Sequence, residues 1–433
     1  MTISRRSFVM GATSASFALL NGTRLLAEEI GRFENELKIP APLEATAGAA
    51  GKRYELTAAV GNSKFFSGGV TPTIGFNGNY LGPTIRCRAG DHVTIHVKNA
   101  LSEPTTVHWH GLHVPARFDG GPHQSIEPGM TWEPSFEIKQ KASLCWYHAH
   151  QLGRTGEQVL RGLAGLFLIE DDESASLGLP SEYGVDDIPL VIQDRRFLRD
   201  GRFDYLSAMP DAMMGYKGNA ILVNGTFLPH VNLRRRRTRF RILNGSNSRI
   251  YTLGRDDGAY LLVIGTDGSL LERPVRQRRL RLGPAERVEL LLDMQENQSV
   301  RLMSYPDTVN SGRMGGGMMM GGMMGGMAGN TETFPIIELP RGQVGERRLS
   351  TARDAHSGAE LDRGAGGAHA HFHPGHGHDG NGWNDGARRH EPLDGDQWPL
   401  DEYEPDRCSG AVGQYRDLGD SQSHPAHPSL PHS

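Results

Sequence analysis

Two pairs of histidines are the residues of this sequence best suited to chemistry. His108 and His110 stand two apart in "TTVHWHGLHV", and His148 and His150 stand two apart in "CWYHAHQ". In a β-strand this spacing puts both imidazoles on one face and Trp109 on the other. A single pair of this kind is typical of a surface, but two such strands can direct four imidazoles at one point. Four nitrogens that leave coordination positions open suit copper better than a closed structural zinc site.

The elements that must hold these histidines are predicted to be β-strands. Residues 50–172 show short alternating segments between Gly, Pro and Asn turns, as in "HVTIHVKNAL", where Val93, Ile95 and Val97 share a face. Residues 173–342 repeat the pattern, and no long segment has helical periodicity. The sequence therefore predicts an all-β protein with two sandwich domains and few helices.

Four motifs in one order make the chain similar to a known family. "NYLGPTIRCRAGD", "HWHGLHVP", "DGGP" and "WYHAHQ" resemble the first domain of multicopper oxidases, and most closely that of the periplasmic copper-resistance cuproxidases. The resemblance covers roughly residues 50–340. It implies tandem cupredoxin-like Greek-key β-sandwiches and a trinuclear copper cluster that reduces O2 to water. The implied substrates are Cu(I), in copper tolerance, and phenols.

The resemblance also assigns roles to individual residues. It implies that His108 binds the type 2 copper, that His110 and His148 share one type 3 copper, and that His150 binds the other. Asp119, in "FDGGP", matches the acidic residue that supplies protons to bound oxygen. Reduction of O2 needs four electrons and four protons, which several coppers and a nearby carboxylate can provide. The alternative for Asp119 is a turn-forming residue before two glycines.

The motifs of the family's third domain are missing from the sequence. That domain carries "HPxHxH" and "HCHxxxH", which complete the trinuclear site and bind the type 1 copper. Of the three cysteines, Cys408 has no flanking histidine, and Cys145 is expected to be a buried core thiol. We therefore expect half of the trinuclear ligands and no type 1 site. The alternative function is a non-catalytic periplasmic protein that binds or sequesters copper; a copper-free structural relative is disfavoured by the four histidines.

The tail, residues 343–433, is rich in Gly, Asp, Pro and His and is predicted to be disordered as written. A one-base shift of permitted codons for "PSLPHS" reads His-Pro-Phe-His-Ile, which is similar to the missing motif. Our hypothesis is that the tail is third-domain DNA translated out of frame, after an indel or a sequencing error. The alternative is a genuine disordered tail, whose histidine run from His369 to His378 would bind metals without specificity.

A methionine-rich segment, residues 313–327, lies inside the second domain. Thioethers are soft ligands that prefer Cu(I), so the segment is a candidate Cu(I) site. The alternative is a low-complexity glycine linker in which methionine is incidental. The candidate ligands are Met314, Met318, Met319, Met320, Met323, Met324 and Met327.

The N-terminal residues 1–27 have the layout of a cleaved export signal. Arg5 and Arg6 precede Phe8 and a short apolar run, which is typical of the twin-arginine type and too short to span a bilayer. The alternatives are an ordinary Sec signal or a disordered start. We expect the twin-arginine export machinery as a partner, a periplasmic location, and no membrane anchor after cleavage. The formal charge of −4, with 22% charged residues, does not indicate a nucleic-acid partner.

Overall fold

The computed structural model describes residues 32–48, 51–66, 69–307 and 332–342. All of them belong to one compact unit, residues 1–350. The predicted signal peptide, the methionine-rich segment and the tail lie outside the described residues.

The described residues are mostly β-strand, as predicted. The first eleven strands are β1 Asn35–Glu36, β2 Thr46–Gly48, β3 Gly51–Ser63, β4 Thr71–Phe76, β5 Ile85–Arg88, β6 His92–Asn99, β7 His108–His110, β8 Thr131–Trp132, β9 Ser135–Glu137, β10 Ser143–His148 and β11 Ala164–Glu170. The other twelve are β12 Asp187–Arg195, β13 Ala220–Val223, β14 Thr226–Phe227, β15 Pro229–His230, β16 Arg237–Asn244, β17 Tyr251–Arg255, β18 Leu261–Gly265, β19 Leu270–Gln277, β20 Leu280–Leu282, β21 Arg287–Asp293, β22 Gln298–Ser304 and β23 Phe334–Arg341. The helices are short: α1 Thr155–Arg161, α2 Asp172–Ser176, α3 Met209–Met214 and a 3-10 turn, Ala116–Phe118.

The first sandwich packs two sheets around one core. One sheet has the order β2-β3-β6-β8, with β4 beside β3 and β9 beside β6, and the other has the order β5-β11-β10-β7. Val93, Ile95 and Val97 of β6 are fully buried, which confirms the predicted inward face of that strand. Strands distant in sequence, such as β5 and β11, are neighbours, so connections cross between the sheets as in Greek-key folds.

The second sandwich is built in the same way from later strands. Its sheets have the orders β14-β13-β12-β16-β21-β18-β19 and β1-β15-β23-β22-β17-β20. The N-terminal strand β1 pairs with β15 and Leu37 enters the second core, whereas β2 pairs with β3 in the first sandwich. The segment that precedes both predicted domains therefore contributes a strand to each sandwich.

The two sandwiches meet at the outer face of the sheet β5-β11-β10-β7. Along β10, Cys145 and Tyr147 face the first core, whereas Leu144 and Trp146 pack with Val191 and other apolar residues of the second sandwich. Because side chains alternate along a strand, His148 continues the face of Leu144 and Trp146. The second sandwich therefore covers the face from which the second histidine pair begins.

Two further features bear on function. Cys87 and Cys145 are free and buried, and burial raises the pKa of both thiols. This confirms that Cys145 is a core thiol. Within the described residues, no helix has the length and apolarity needed to cross a membrane.

Candidate metal centre

The histidine pairs are brought together by the pairing of β7 with β10. In this antiparallel ladder His108 lies opposite His148, and His110 lies opposite Trp146. Trp109, on the other face of β7, is fully buried and packs near Trp132 in the first core. The burial of Trp109 fixes the register, because a shift of one residue would exchange the buried tryptophan with the imidazoles.

Three imidazoles form a site of a size that one metal ion could occupy. One ring nitrogen from each of His108, His110 and His148 lies within 4.8 Å of the others, and we call these three residues the histidine cluster. Nδ1 of His110 is 3.3 Å from Nε2 of His148. Two nitrogens bound to one metal at about 2.0–2.1 Å with tetrahedral angles lie about 3.3 Å apart. The donor types and their spacing therefore fit a copper ion.

Main-chain carbonyls set the orientation of two of these rings. Nδ1 of His108 donates to the carbonyl oxygen of Asp119 at 2.9 Å, and Nδ1 of His148 donates to that of Ala149 at 2.8 Å. A neutral imidazole that donates through Nδ1 keeps the lone pair on Nε2. Each of these histidines thus offers Nε2 as a ligand atom, and carbonyl partners of this kind are typical around metal-binding histidines.

His150 lies beside the histidine cluster. Its ring centroid is 5.4 Å from that of His108 and 5.9 Å from that of His148. Its main-chain N–H donates to Oγ1 of Thr106 at 2.7 Å, while its buried Nδ1 has no hydrogen-bond partner among the described residues. A buried polar atom without a partner is costly, and a ligand would satisfy it.

The environment keeps two of the imidazoles neutral. Burial lowers the pKa of His148 to about 3, although the hydrogen bond to Ala149 opposes this shift. Burial, with the positive charge of Arg287, lowers the pKa of His110 to about 4. At neutral pH both rings are therefore uncharged, which is the state that can bind a metal.

Asp119 follows the 3-10 turn and lies next to His108. Its carboxylate Oδ1 is 3.4 Å from Nδ1 of His108 and is 41% exposed, but the main-chain oxygen is the closer acceptor. The next residue, Gly120, has φ +71°, and a Cβ there would lie 1.7 Å from the carbonyl oxygen of Val107. Glycine is therefore required for this loop to approach β7. The role of Asp119 as a proton donor stays a prediction.

Three residues at the site were not singled out from the sequence. The ring centroid of Trp146 lies 4.1 Å from that of His148, Thr106 anchors the backbone of His150, and Arg287 reaches the site from the second sandwich. Alternation along β10 could have indicated Trp146, since it precedes His148 by two residues. No local pattern points to Arg287.

Comparison with known proteins identifies a multicopper oxidase domain. Residues 59–174 match the family model for multicopper oxidase. Over 304 residues the chain is 40% identical to cell division protein FtsP of Sodalis glossinidius, which covers 70% of this chain and 62% of the relative. It is 37% identical over 279 residues to multicopper oxidase mco of Staphylococcus aureus, covering 64% of this chain and 61% of that protein. The chain thus spans about three fifths of the length of these relatives.

Solved structures agree with this assignment. The laccase-like multicopper oxidase CueO of Ochrobactrum sp. superposes with a TM-score of 0.62 at 36% identity, covering 70% of this chain and 63% of that chain. McoA of Aquifex aeolicus gives a TM-score of 0.63 at 31% identity, covering 72% and 65%. These likenesses confirm tandem cupredoxin-like β-sandwiches. The chain therefore contains a multicopper oxidase domain and is similar to multicopper oxidases along about 70% of its length.

Proposed function

We propose that this protein is an oxidase of the cuproxidase type, which oxidises Cu(I), and phenols as further substrates, with reduction of O2 to water. The observation that carries the proposal is the histidine cluster, in which three imidazoles share one face and His110 Nδ1 lies 3.3 Å from His148 Nε2. Bound copper would supply one-electron transfer to oxygen, which no amino-acid side chain in this site can perform.

The proposal gives each histidine a part in holding copper. His110 and His148 would share one type 3 ion, because their nitrogens already have the spacing of two ligands on one metal. His108 would hold the type 2 ion through Nε2, since Asp119 engages its Nδ1. His150 would bind the second type 3 ion, and its unpartnered Nδ1 supports this part.

The carboxylate of Asp119 is proposed as the group that passes protons to the site. It is partly exposed and lies next to His108, so it can exchange protons with water on one side and face the site on the other.

In this proposal the remaining copper ligands belong to sequence beyond the described residues. The hypothesis that residues 343–433 are read out of frame would place a third domain there. Resequencing the gene from the codons of Gly345 onward tests it. A single-base correction that opens a frame through both third-domain motifs would support a complete oxidase, and an unchanged frame would contradict the hypothesis.

Export to the periplasm by the twin-arginine route and a role in copper tolerance complete the proposal. Residues 1–27 support the route, and the motifs that resemble those of copper-resistance cuproxidases support the substrate class. Among the solved structures is a laccase-like oxidase named CueO. That CueO is described as having oxidase activity towards lignin model compounds, which supports phenols as further substrates here.

The decisive experiment is copper loading of the purified protein, expressed with any frame correction that resequencing reveals, followed by metal analysis, absorption spectroscopy and oxygen uptake with Cu(I) or a phenol. The proposal predicts bound copper, a blue band and substrate-dependent oxygen uptake. A His148→Ala variant should bind less copper and lose oxygen uptake but keep the blue band, because the type 1 copper has other ligands, whereas the matched control His113→Ala should keep all three, because exposed His113 lies outside the histidine cluster. Turnover that survives His148→Ala would contradict the proposal.

A second candidate is a copper-binding protein without turnover. It is favoured by the thiols of Cys87 and Cys145, which are buried with raised pKa values and therefore unsuited to act as thiolate ligands of a blue copper. The same experiment separates the two candidates, since copper bound without a blue band or oxygen uptake would support the binding protein.

A role in cell division is a third candidate, favoured by relatives that carry the name FtsP at up to 40% identity. Deletion of the gene separates it from the oxidase. Copper sensitivity with normal division would support the oxidase, and a division defect that His148→Ala still complements would support the cell-division role.

A further inference from the structure

Arg287, at the start of β21 in the second sandwich, donates a hydrogen bond to β10 and lies beside the residue that follows β7. Its side chain is 5% exposed, and its Nε donates to the carbonyl oxygen of Leu144 at 3.0 Å. Leu144 lies on β10, four residues before His148 on the same face of the strand. Arg287 thus fixes the strand from which His148 projects.

The same guanidinium lies against the chain that follows His110. Gly111 has φ +91°, and a Cβ placed there would lie only 2.6 Å from Nη2 of Arg287. Glycine is therefore required at this position of the "HWHG" motif by the backbone conformation and by the space that Arg287 occupies. The end of β7 is packed against the arginine as closely as this main chain allows.

Arg287 is itself held firmly by its own sandwich. Nη1 donates to the carbonyl oxygen of Ala285 at 3.1 Å, and Nη2 donates to that of Asp267 at 3.1 Å. The carboxylate of Asp267 lies 2.9 Å from Nη1 and compensates the buried charge. The planar guanidinium of Arg287 has several donors in fixed directions, so it orients its partners more strictly than the ammonium of a lysine could.

We propose that Arg287 is a positioning residue, which locks β7 and β10 in the register and spacing that bring His110 and His148 onto one metal ion. The inference rests on the proposed function, because it assumes that the histidine cluster binds copper. Loss of an outer partner of metal ligands typically costs about 10–100-fold in metal affinity. We expect an effect of that size here, since Arg287 donates to the backbone of β10 and lies beside Gly111, the residue that follows β7.

The test compares two variants of Arg287 with a matched control in the full chain. Arg287→Met removes all side-chain donors, and Arg287→Lys keeps the positive charge but loses the planar set of guanidinium donors. Arg249→Met is the control: Arg249 is equally buried, but it donates to Asp194 and to the carbonyl oxygen of Gly218, both within the second sandwich. Cu(II) affinity is measured by chelator competition and ligand geometry by electron paramagnetic resonance, alongside urea unfolding of the copper-free protein.

We expect Arg287→Met to bind Cu(II) about 10–100-fold more weakly with an altered resonance spectrum, and Arg287→Lys to recover only part of the affinity. Arg249→Met should lose stability but keep its affinity within about threefold, because distant sites act independently. If Arg287→Met does not fold, Arg287→Lys decides the question. Unchanged affinity and spectrum in a folded Arg287 variant would overturn the inference alone. Absence of copper binding by the unsubstituted protein would instead overturn the proposed function and the inference together.

Discussion

The two sheets that face each other between the sandwiches differ in how their buried polar side chains find partners. In the first sandwich, β7 and β10 present imidazoles whose lone pairs converge without a cation. In the second sandwich, β12, β16 and β21 present arginines and carboxylates that satisfy one another. We expect a bound metal ion to complete the first arrangement, whereas the second is complete by itself.

The second arrangement is a buried ion-pair network of four residues on adjacent strands. Arg241 donates to both carboxylate oxygens of Asp187, at 2.7 and 2.9 Å, and to Glu289 at 3.3 Å. Glu289 also accepts from Arg239 at 2.6 Å. Because every charge has an opposite neighbour, this sheet can remain buried at low cost, whereas the imidazoles of the other sheet have no charged partner within the histidine cluster.

The largest effect should come from breaking the ion-pair network. Asp187→Ala leaves Arg241 with one carboxylate instead of two, which should lower the free energy of unfolding by about 3–5 kcal/mol. Urea unfolding of the full chain measures it. The matched control is Asp293→Ala, because Asp293 pairs with Arg236 and Arg237 at the surface and should contribute less than about 1 kcal/mol. Similar losses in the two variants would show that the network is not a special source of stability.

Substitution of a histidine in the histidine cluster should lower metal affinity far more than it lowers the stability of the fold. His148→Ala removes a central ligand, and sites with several ligands gain about 3 kcal/mol from each, so copper affinity should fall by about 100-fold or more. The copper-free variant should lose less stability than Asp187→Ala, because no charge is left unpaired. Chelator competition and urea unfolding on both variants give the comparison. Equal loss of stability would mean that the two sheets do not differ in the way proposed.

The imidazoles should also give the copper-free protein a distinct pH dependence. In the unfolded chain histidines titrate near 6.5, whereas burial lowers the pKa of His110 to about 4 and of His148 to about 3. Between pH 6.5 and about 4 these two histidines bind protons in the unfolded chain but stay neutral in the folded protein. The free energy of unfolding therefore falls as pH falls through this range. Each group contributes at most about 1.4 kcal/mol per pH unit, and His110 contributes less because it is partly exposed.

The measurement is the free energy of unfolding between pH 6.5 and 4.5, compared with a His110→Gln/His148→Gln double variant. All other titrating groups are common to both proteins, so the difference in slope isolates the two imidazoles. The variant should show the shallower decline. Parallel curves would contradict the lowered pKa values.

The sequence predicts which face of a strand a side chain occupies better than it predicts which residues of other strands that side chain meets. Alternation of side chains was sufficient to put Val93, Ile95 and Val97 in a core and to separate Trp109 from the flanking histidines. These outcomes depend only on the period of a strand. The pairing of His108 with His148 depends on register between strands, which the family motifs implied but no local pattern could supply.

The parts that escaped prediction depend on the main chain or on distant contacts. The closer acceptor for His108 is the backbone oxygen of Asp119, and a carbonyl is the same at every residue, so the residue type could not indicate it. Gly120 was the available signal, because its φ of +71° is what brings that carbonyl to β7. Arg287 lies in another domain, and only the packing of the two sandwiches brings it to Leu144.

The smallest effect on metal binding should come from Asp119→Asn, although Asp119 is the predicted proton donor. Its carbonyl oxygen accepts from Nδ1 of His108 at 2.9 Å and is unchanged by the substitution, while the carboxylate is more distant at 3.4 Å. Copper affinity should therefore change by less than about threefold, as expected for a partly exposed charge. Oxygen uptake by a copper-loaded protein that turns over should fall by about 100-fold or more, because the amide cannot supply protons.

Chelator competition and oxygen uptake on the same preparation separate the role of the Asp119 carbonyl oxygen from that of its carboxylate. Weaker copper binding with uptake reduced in proportion would mean that the carboxylate serves the ligand His108. Unchanged affinity with slow uptake would assign ligand orientation to the main chain and proton supply to the side chain. At the first sheet, carbonyl oxygens would then orient the ligands and the carboxylate of Asp119 would supply protons. In the second sheet, the carboxylate of Asp187 instead pairs with an arginine of the same sheet.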